Sequence, residues 1–263
     1  MQRVFFLRAF GDFVIGIQNI AQSSRHYKII ASNHLAPLYE SMVAQSVIAP
    51  VEIEFLDFGI KKGQLAFFTN KNFISFDTFY QLSKIKSYLK KYPNPNGIDF
   101  VEQEIRLPAF NFFTNHHFEP IVRKNTSVYS AYANFAQIAN VPFKLNNSNS
   151  NIVIIFPDAR KKIKEINNRT LNKIIQKYEE LGYIIKIAKW NYEVKLSNEL
   201  TYHNFNELIQ LIQKADFVVS SDSLPVHLAH LIKKPHLIIY NGANNNFCTP
   251  FALEHQSYLN SLN

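Results

Sequence analysis

The sequence predicts an α/β protein made of two Rossmann-like domains that face one another across a cleft. Three observations predict this. Short runs such as Ile152-Val153-Ile154-Ile155-Phe156 are apolar on both faces, as strands of a covered parallel sheet are. Between such runs lie segments of helical spacing, for example Leu171, Ile174, Ile175, Tyr178 and Leu181. A polar, aperiodic Asn/Ser-rich stretch at 144–151 divides the chain. The expected organisation is an N-terminal Rossmann-like domain over 1–145, a C-terminal one over 151–250, and a tail over 251–263. The tail reads either as a helix that packs back on the first domain or as a truncated end of it.

Taken in order, the first half predicts a strand at 4–7, a glycine turn, a helix at 13–21, a strand at 27–31, a helix at 35–47 and a strand at 51–55. Beyond Phe58 the pattern is less regular, with a helix expected at 77–89 and a Pro/Asn-rich turn at 92–97. The second half predicts strands at 152–156, 183–188, 217–219 and 236–240. Helices are expected at 171–181, 205–212 and 224–232, with Gly182 ending the first of them. In sheets of this kind ligands bind beyond the carboxyl ends of the strands.

Composition excludes several classes. With 47% hydrophobic and 18% charged residues, the 263-residue chain is far from the disordered regime and can bury a full core. The single cysteine, Cys248, cannot form an intramolecular disulfide, and no Cys/His spacing suits zinc, so no metal site and a reducing cytoplasm are expected. The first apolar run is broken by Arg8 and Asp12, which suits a strand better than a signal peptide. No apolar stretch approaches the ~20 residues that span a bilayer. A net charge of +8 and a pI near 9.4 favour polyanions, whether nucleic acid, anionic lipid or phosphorylated sugars, and charge alone does not choose among them.

Three segments can carry chemistry. In Ser220-Ser221-Asp222-Ser223-Leu224-Pro225-Val226-His227-Leu228-Ala229 a strand ends, a small polar turn follows and a helix begins, with Ser or Asp as its N-cap and Pro225 in its first turn. The free N–H groups of such a helix start suit a diphosphate, and the same pattern is also simply a good helix start. His227, alone on its helix, reads by default as a packed or capping residue. The run Arg160-Lys161-Lys162-Ile163-Lys164 follows a buried strand, so its cations are expected at the same sheet edge. There they suit phosphate or form a solvated basic loop. Gly11 and Asp12 follow the first strand, where the backbone can approach a ligand and a carboxylate can act as a general base, or where Asp12 is a plain N-cap. The other histidines, including His34, His116 and His117, show no metal-ligand spacing, and the aromatic residues fall at core-like positions, so no nucleic-acid surface is expected.

Together these segments resemble the glycosyltransferase family typified by the lipopolysaccharide heptosyltransferases, with the two-domain GT-B fold. The family's Leu-Gly-Asp-type turn is similar to Arg8-Ala9-Phe10-Gly11-Asp12, and its Pro-x-Ser/Ala-Arg then Lys element is similar to Pro157-Asp158-Ala159-Arg160 with Lys164. Its Ser-x-Asp-Ser/Thr-Gly-x-x-His-Leu-Ala motif is similar to 220–229, followed by Lys234-Pro235 and Asn241-Gly242. The resemblance implies inverting, metal-independent sugar transfer from a nucleotide diphosphate sugar, an ADP-linked donor among those allowed, to a saccharide or glycolipid acceptor in surface-glycan assembly. It needs no other cofactor. On this reading Asp12 is the catalytic base, with Arg8 and Gly11 beside it on the acceptor or phosphate side. Arg160, Lys164, Asp222, Ser223, Leu224 and His227 hold the donor. The protein is then cytoplasmic and peripheral at the anionic inner membrane face, with no nucleic-acid partner. Leu224 stands where the family has Gly, and the chain is shorter than most members. The alternatives are a nucleotide-sugar-binding protein of the same fold without transferase activity and a basic nucleic-acid-binding protein.

Overall fold

The computed structural model describes residues 2–7, 10–58, 76–103, 107–138, 145, 150–159, 162–194, 196–240 and 246–260. The chain divides into two compact units, Met1–Tyr39 with Ala49–Ala139, and Glu40–Ile48 with Asn140–Asn263. The stretch expected as a linker, 144–151, lies mostly outside the described residues.

The first unit carries β1 (Gln2–Phe6), α1 (Phe10–Gln22), β2 (Tyr27–Ser32), the start of α2 (Ala36–Ala44), β3 (Ile53–Leu56), α3 (Phe76–Lys91), β4 (Asp99–Gln103), α4 (Leu107–Thr114), β5 (Phe118–Val122) and α5 (Val128–Ala136). Its five strands run parallel in the order β3-β2-β1-β4-β5, so the winding reverses between β1 and β4. Among the described residues, the irregular sequence beyond Phe58 thus conceals two further strands and two further helices. Their strands mix Pro120 and the acids Asp99, Glu102 and Glu119 into short runs, which weakens the apolar signal.

Both sheet faces are covered. Phe5, Ile30, Val101 and Phe118 bury one face under Leu82, Ile85, Tyr88 and Leu89 of α3 and Phe110 of α4. On the other face Phe6 meets Phe13 of α1 edge-on and stacks on Tyr132 of α5. That contact explains Gly16: a Cβ there would strike the Phe6 ring and lie 2.8 Å from Tyr132. At the amino ends of the strands Arg3 is buried, its Nε donating to Asp99 Oδ1 at 2.7 Å and its Nη1 to the Tyr92 carbonyl at 2.6 Å. Asn94 and His116 complete the shell of Asp99, at 2.9 and 2.7 Å. Burial pushes the Asp99 carboxyl up, but Arg3 and Asn94 outweigh it and hold the group below its ordinary value.

The second unit carries β6 (Ile152–Phe156), α6 (Asn168–Glu180), β7 (Ile184–Trp190), β8 (Glu199–Tyr202), α7 (Phe205–Lys214), β9 (Phe217–Ser221), α8 (Leu224–Leu231), β10 (His236–Tyr240), α9 (Pro250–Glu254) and β11 (Tyr258–Asn260). The six strands are parallel, ordered β11-β10-β9-β6-β7-β8, with the reversal between β6 and β9. The Asn167 side chain caps α6 by accepting from Thr170 N at 2.9 Å, and Gly182, at φ 82°, turns the chain out of the helix where other residues would be strained. β8 was not expected: four residues, half of them partly exposed, carry too little periodicity.

The tail is not a single helix: the described part of 251–263 completes the five-residue α9 and then pairs as β11 on the edge of the second sheet. The reason lies in β10. His236 Nδ1 is 2.8 Å from the Lys234 carbonyl and so must carry the proton there, which leaves Nε2 to accept from Thr249 Oγ1 at 2.6 Å. Thr249 in turn caps α9 by accepting from Ala252 N at 3.1 Å, and Ala252 packs with Val226, Ile238 and Tyr240. Burial pushes His236 down to about 4, which keeps it neutral and this link intact.

Candidate functional site

The reversal between β6 and β9 places the loops after these two strands side by side, since Phe156 and Ser220 are partners in register. The loop after β6 is pinned by Ile166 N donating to the Pro157 carbonyl at 2.9 Å, and a 3-10 turn, Lys162–Lys164, brings Lys164 back towards β9. There its ammonium pairs with the Asp222 carboxylate, 58 residues away, and lies 3.4 Å from the Asp222 carbonyl.

Asp222 is itself anchored, its N–H donating to the Ile239 carbonyl of β10 at 3.2 Å. His227, buried on α8, directs Nε2 towards Asp222 Oδ1 at 3.7 Å. Burial alone would push this carboxyl up; His227 first and Lys164 second overcome it and bring it down to about 2. The carboxylate is therefore fully charged at neutral pH. The lysine side chain is 40% exposed and the carboxylate 10%, so solvent reaches the lysine more than the acid. The Phe247 ring lies near both cation and imidazole, its centroid 5.8 Å from Lys164 Nζ and 6.4 Å from the His227 ring.

Ser223 occupies the N-cap of α8 in extended backbone, yet its hydroxyl makes no cap bond. It belongs instead to a serine cluster, 3.2 Å from Ser220 Oγ and 3.1 Å from Ser221 Oγ. Pro225 in the first turn has no N–H to satisfy. The helix start thus keeps its backbone donors and its positive dipole end beside Lys164. Leu224 is the first helical residue and is absent from the positive-φ positions, so no left-handed backbone demands glycine there. The leucine is accommodated; a glycine at this place would only add room.

Of the expected donor residues, the structure brings Lys164, Asp222, Ser223, Leu224 and His227 together. Arg160 lies outside the described residues. In the first unit Gly11 and Asp12 sit in the first turn of α1 at the carboxyl end of β1, with Asp12 buried, while Arg8 lies outside the described residues. Beside them Glu102, buried near the end of β4, accepts from Leu7 N at 3.2 Å. Glu102 and Phe247 were not singled out from the sequence, because only the strand order and the chain's return after β10 bring them to these places. Among the described residues, no group of three or more His, Cys, Asp or Glu could hold a metal ion. Among the described residues, too, no helix is long and apolar enough to cross a membrane.

Residues 87–263 match the family model for glycosyltransferase family 9 (heptosyltransferase), which is more than half of the chain. The chain belongs to glycosyltransferase family 9. It is therefore a glycosyltransferase with two parallel-sheet α/β units, in agreement with the GT-B reading. No curated protein sequence matches it. Solved structures share the fold at low identity. Heptosyltransferase WaaC of E. coli with ADP is 12% identical with a TM-score of 0.57, covering 98% of this chain and 92% of that one. A family 9 glycosyl transferase from Veillonella parvula is 13% identical at 0.59, covering 98% and 86%. E. coli ADP-heptose lps heptosyltransferase II is 12% identical at 0.57, covering 99% and 90%.

Proposed function

We propose that this family 9 glycosyltransferase moves a sugar, with inversion and without a metal, from a nucleotide diphosphate donor of the ADP-heptose type to a saccharide or lipid-linked acceptor in lipopolysaccharide-type assembly. The observation that carries the reading is the Lys164–Asp222 pair set beside the uncapped start of α8 at the strand-order reversal. A diphosphate bound there would meet the partly exposed Lys164 side chain, the Leu224 amide and the helix dipole, with Arg160 as a second cation. These groups would do the charge neutralisation that a divalent cation does in other transferases.

The donor class is supported by the relatives, whose structures are described with ADP and as an ADP-heptose transferase. Asp12 would take the proton from the acceptor hydroxyl as its oxygen attacks the anomeric carbon. The bond from that carbon to the diphosphate breaks on the opposite face, and the nucleoside diphosphate leaves with the electron pair. Asp222, held charged, would accept hydrogen bonds from donor sugar hydroxyls, and His227 would keep it oriented. The protein would work in the cytoplasm at the inner membrane face, where its acceptor lies.

The test is release of nucleoside diphosphate from ADP-linked sugars in the presence of core-type glycolipid acceptors, with chelator added. Turnover should survive the chelator. Asp12→Asn should lower it by about 10²- to 10⁴-fold with donor affinity retained. Lys164→Ala should weaken nucleoside diphosphate binding by at least about tenfold. Donor binding with no turnover on any acceptor would identify a binding protein of this fold instead. Equal turnover by Asp12→Asn would remove the base assignment.

A further inference from the structure

We propose that the outer face of the α3–α4 layer is the surface by which this protein docks on an anionic lipid bilayer. The idea deepens the peripheral placement of the proposed function by naming the surface. It rests on that placement and not on the transfer chemistry.

The sequence from Tyr80 to Ile98 contains four lysines, Lys84, Lys86, Lys90 and Lys91, and no acidic residue. In α3 the apolar positions Leu82, Ile85, Tyr88 and Leu89 are spent on the sheet, so the lysines are left to the solvent side, with Lys86, Lys90 and Lys91 exposed. Aromatic rings stand among them. Tyr80 is about half exposed, with Lys84 Nζ 5.2 Å from its ring centroid, and Tyr92 is similarly exposed, with Lys91 Nζ 5.1 Å from its own. Rings of this kind, apolar in body and polar at the tip, suit the headgroup level of a bilayer.

The neighbouring helix adds what a purely electrostatic surface would lack. Phe110 of α4 packs into the same core as α3, so both helices lie on the same sheet face. On the solvent side of α4, Phe112 is 79% exposed and leans edge-on against the partly buried Phe113 at 5.2 Å. One exposed phenylalanine is ordinary. A phenylalanine wedge on a layer whose other helix carries an acid-free row of lysines and tyrosines matches a surface that is anionic outside and apolar beneath. A nucleic acid offers the charge without a place for Phe112 beyond an unpaired base, and an acidic protein offers no reason for the interfacial tyrosines.

The layer also has the right placement. The Asp99 shell joins the turn after α3 to the end of α4 at the amino ends of the strands, whereas Asp12 lies at the carboxyl end of β1. Docking through the α3 lysines and Phe112 would leave that edge of the unit clear.

The full chain should be tested by flotation with vesicles of phosphatidylglycerol and phosphatidylethanolamine against vesicles of phosphatidylcholine alone. The anionic vesicles should bind it, with affinity falling as salt rises. A Lys86→Ala, Lys90→Ala, Lys91→Ala variant should bind about 100-fold more weakly, at roughly fivefold for each lysine near the surface. Phe112→Ser should bind about tenfold more weakly at high as well as low salt, and Phe112→Trp should restore binding. The four substituted side chains, Lys86, Lys90, Lys91 and Phe112, are exposed, and unchanged circular dichroism and unchanged nucleoside diphosphate binding will show that fold and donor site are intact. Equal binding to both vesicle types overturns the proposal, as does wild-type-like binding by the triple variant or by Phe112→Ser. Selective, steeply salt-dependent binding of single-stranded oligonucleotides in preference to anionic vesicles assigns the surface to nucleic acid. Failure here with diphosphate binding intact leaves the transferase reading standing.

Discussion

Replacing Asp222 by Asn keeps the shape of the side chain and removes the charge that Lys164 and His227 both face. The carboxyl sits at about 2 in the folded protein against an ordinary 3.8, a preference for the charged form of about 2 kcal/mol. Lys164 is 40% exposed, so water screens part of this, and a loss of about 1.5 kcal/mol at pH 7 is the expectation. The sign follows from a folded value below the unfolded one. The stabilisation is fully present above about pH 4 and is lost as pH falls from there towards 2, because only the folded state holds the carboxylate charged in that window. The wild-type advantage over Asp222→Asn should therefore shrink between pH 4 and 3. The single tryptophan, Trp190, ends β7 in the same unit, so urea unfolding followed by its fluorescence reports on this half of the chain without assuming that both units unfold together. A difference below about 0.5 kcal/mol at pH 7, or one that does not shrink on acidification, would refute the pairing as the source of the depressed carboxyl.

Two further outcomes probe the first unit. Arg3→Met leaves the buried Asp99 without its main partner and should cost about 3–5 kcal/mol, measured by chemical denaturation; Asp99→Asn in the same background should recover much of it, since the unpaired charge is then gone. Gly16→Ala should lower stability by about 1–3 kcal/mol although alanine is the better helix former, because its methyl group meets Phe6 and Tyr132; a stabilised protein would mean that α1 can move off the sheet at little cost.

Much of the second unit was legible in the sequence because its elements are long or sharply bounded. The helix of 171–181 has a clean apolar stripe and a glycine stop, and the strand of 236–240 is buried at every position. The first unit beyond Phe58 was not, because β4 and β5 are short and carry charged residues, and the partners of those in β4 come from elsewhere. Asp99 is tolerable in a strand because Arg3, 96 residues earlier, lies beside it, with Asn94 and His116 completing its shell. The tail was misread for a related reason: a three-residue strand has no period of its own, and its place follows from pairing with β10.

The candidate site divides in the same way. Residues 220–229 by themselves determined a strand, a small polar turn and a helix start, and with the Gly11–Asp12 and Arg160–Lys164 segments they determined the family resemblance. Whether that helix start was capped by its own serine or left open could not be read there, since a hydroxyl at an N-cap ordinarily bonds its own helix. The structure shows it left open, because the serines bond one another within the turn. What tertiary structure added is the cation: strand order set β6 beside β9, and Lys164 came to face Asp222 opposite the local His227. The local chain can specify which backbone donors exist and which imidazole lies near Asp222, but the cation beside them depends on non-local strand pairing, which adds Lys164 to the local His227–Asp222 contact.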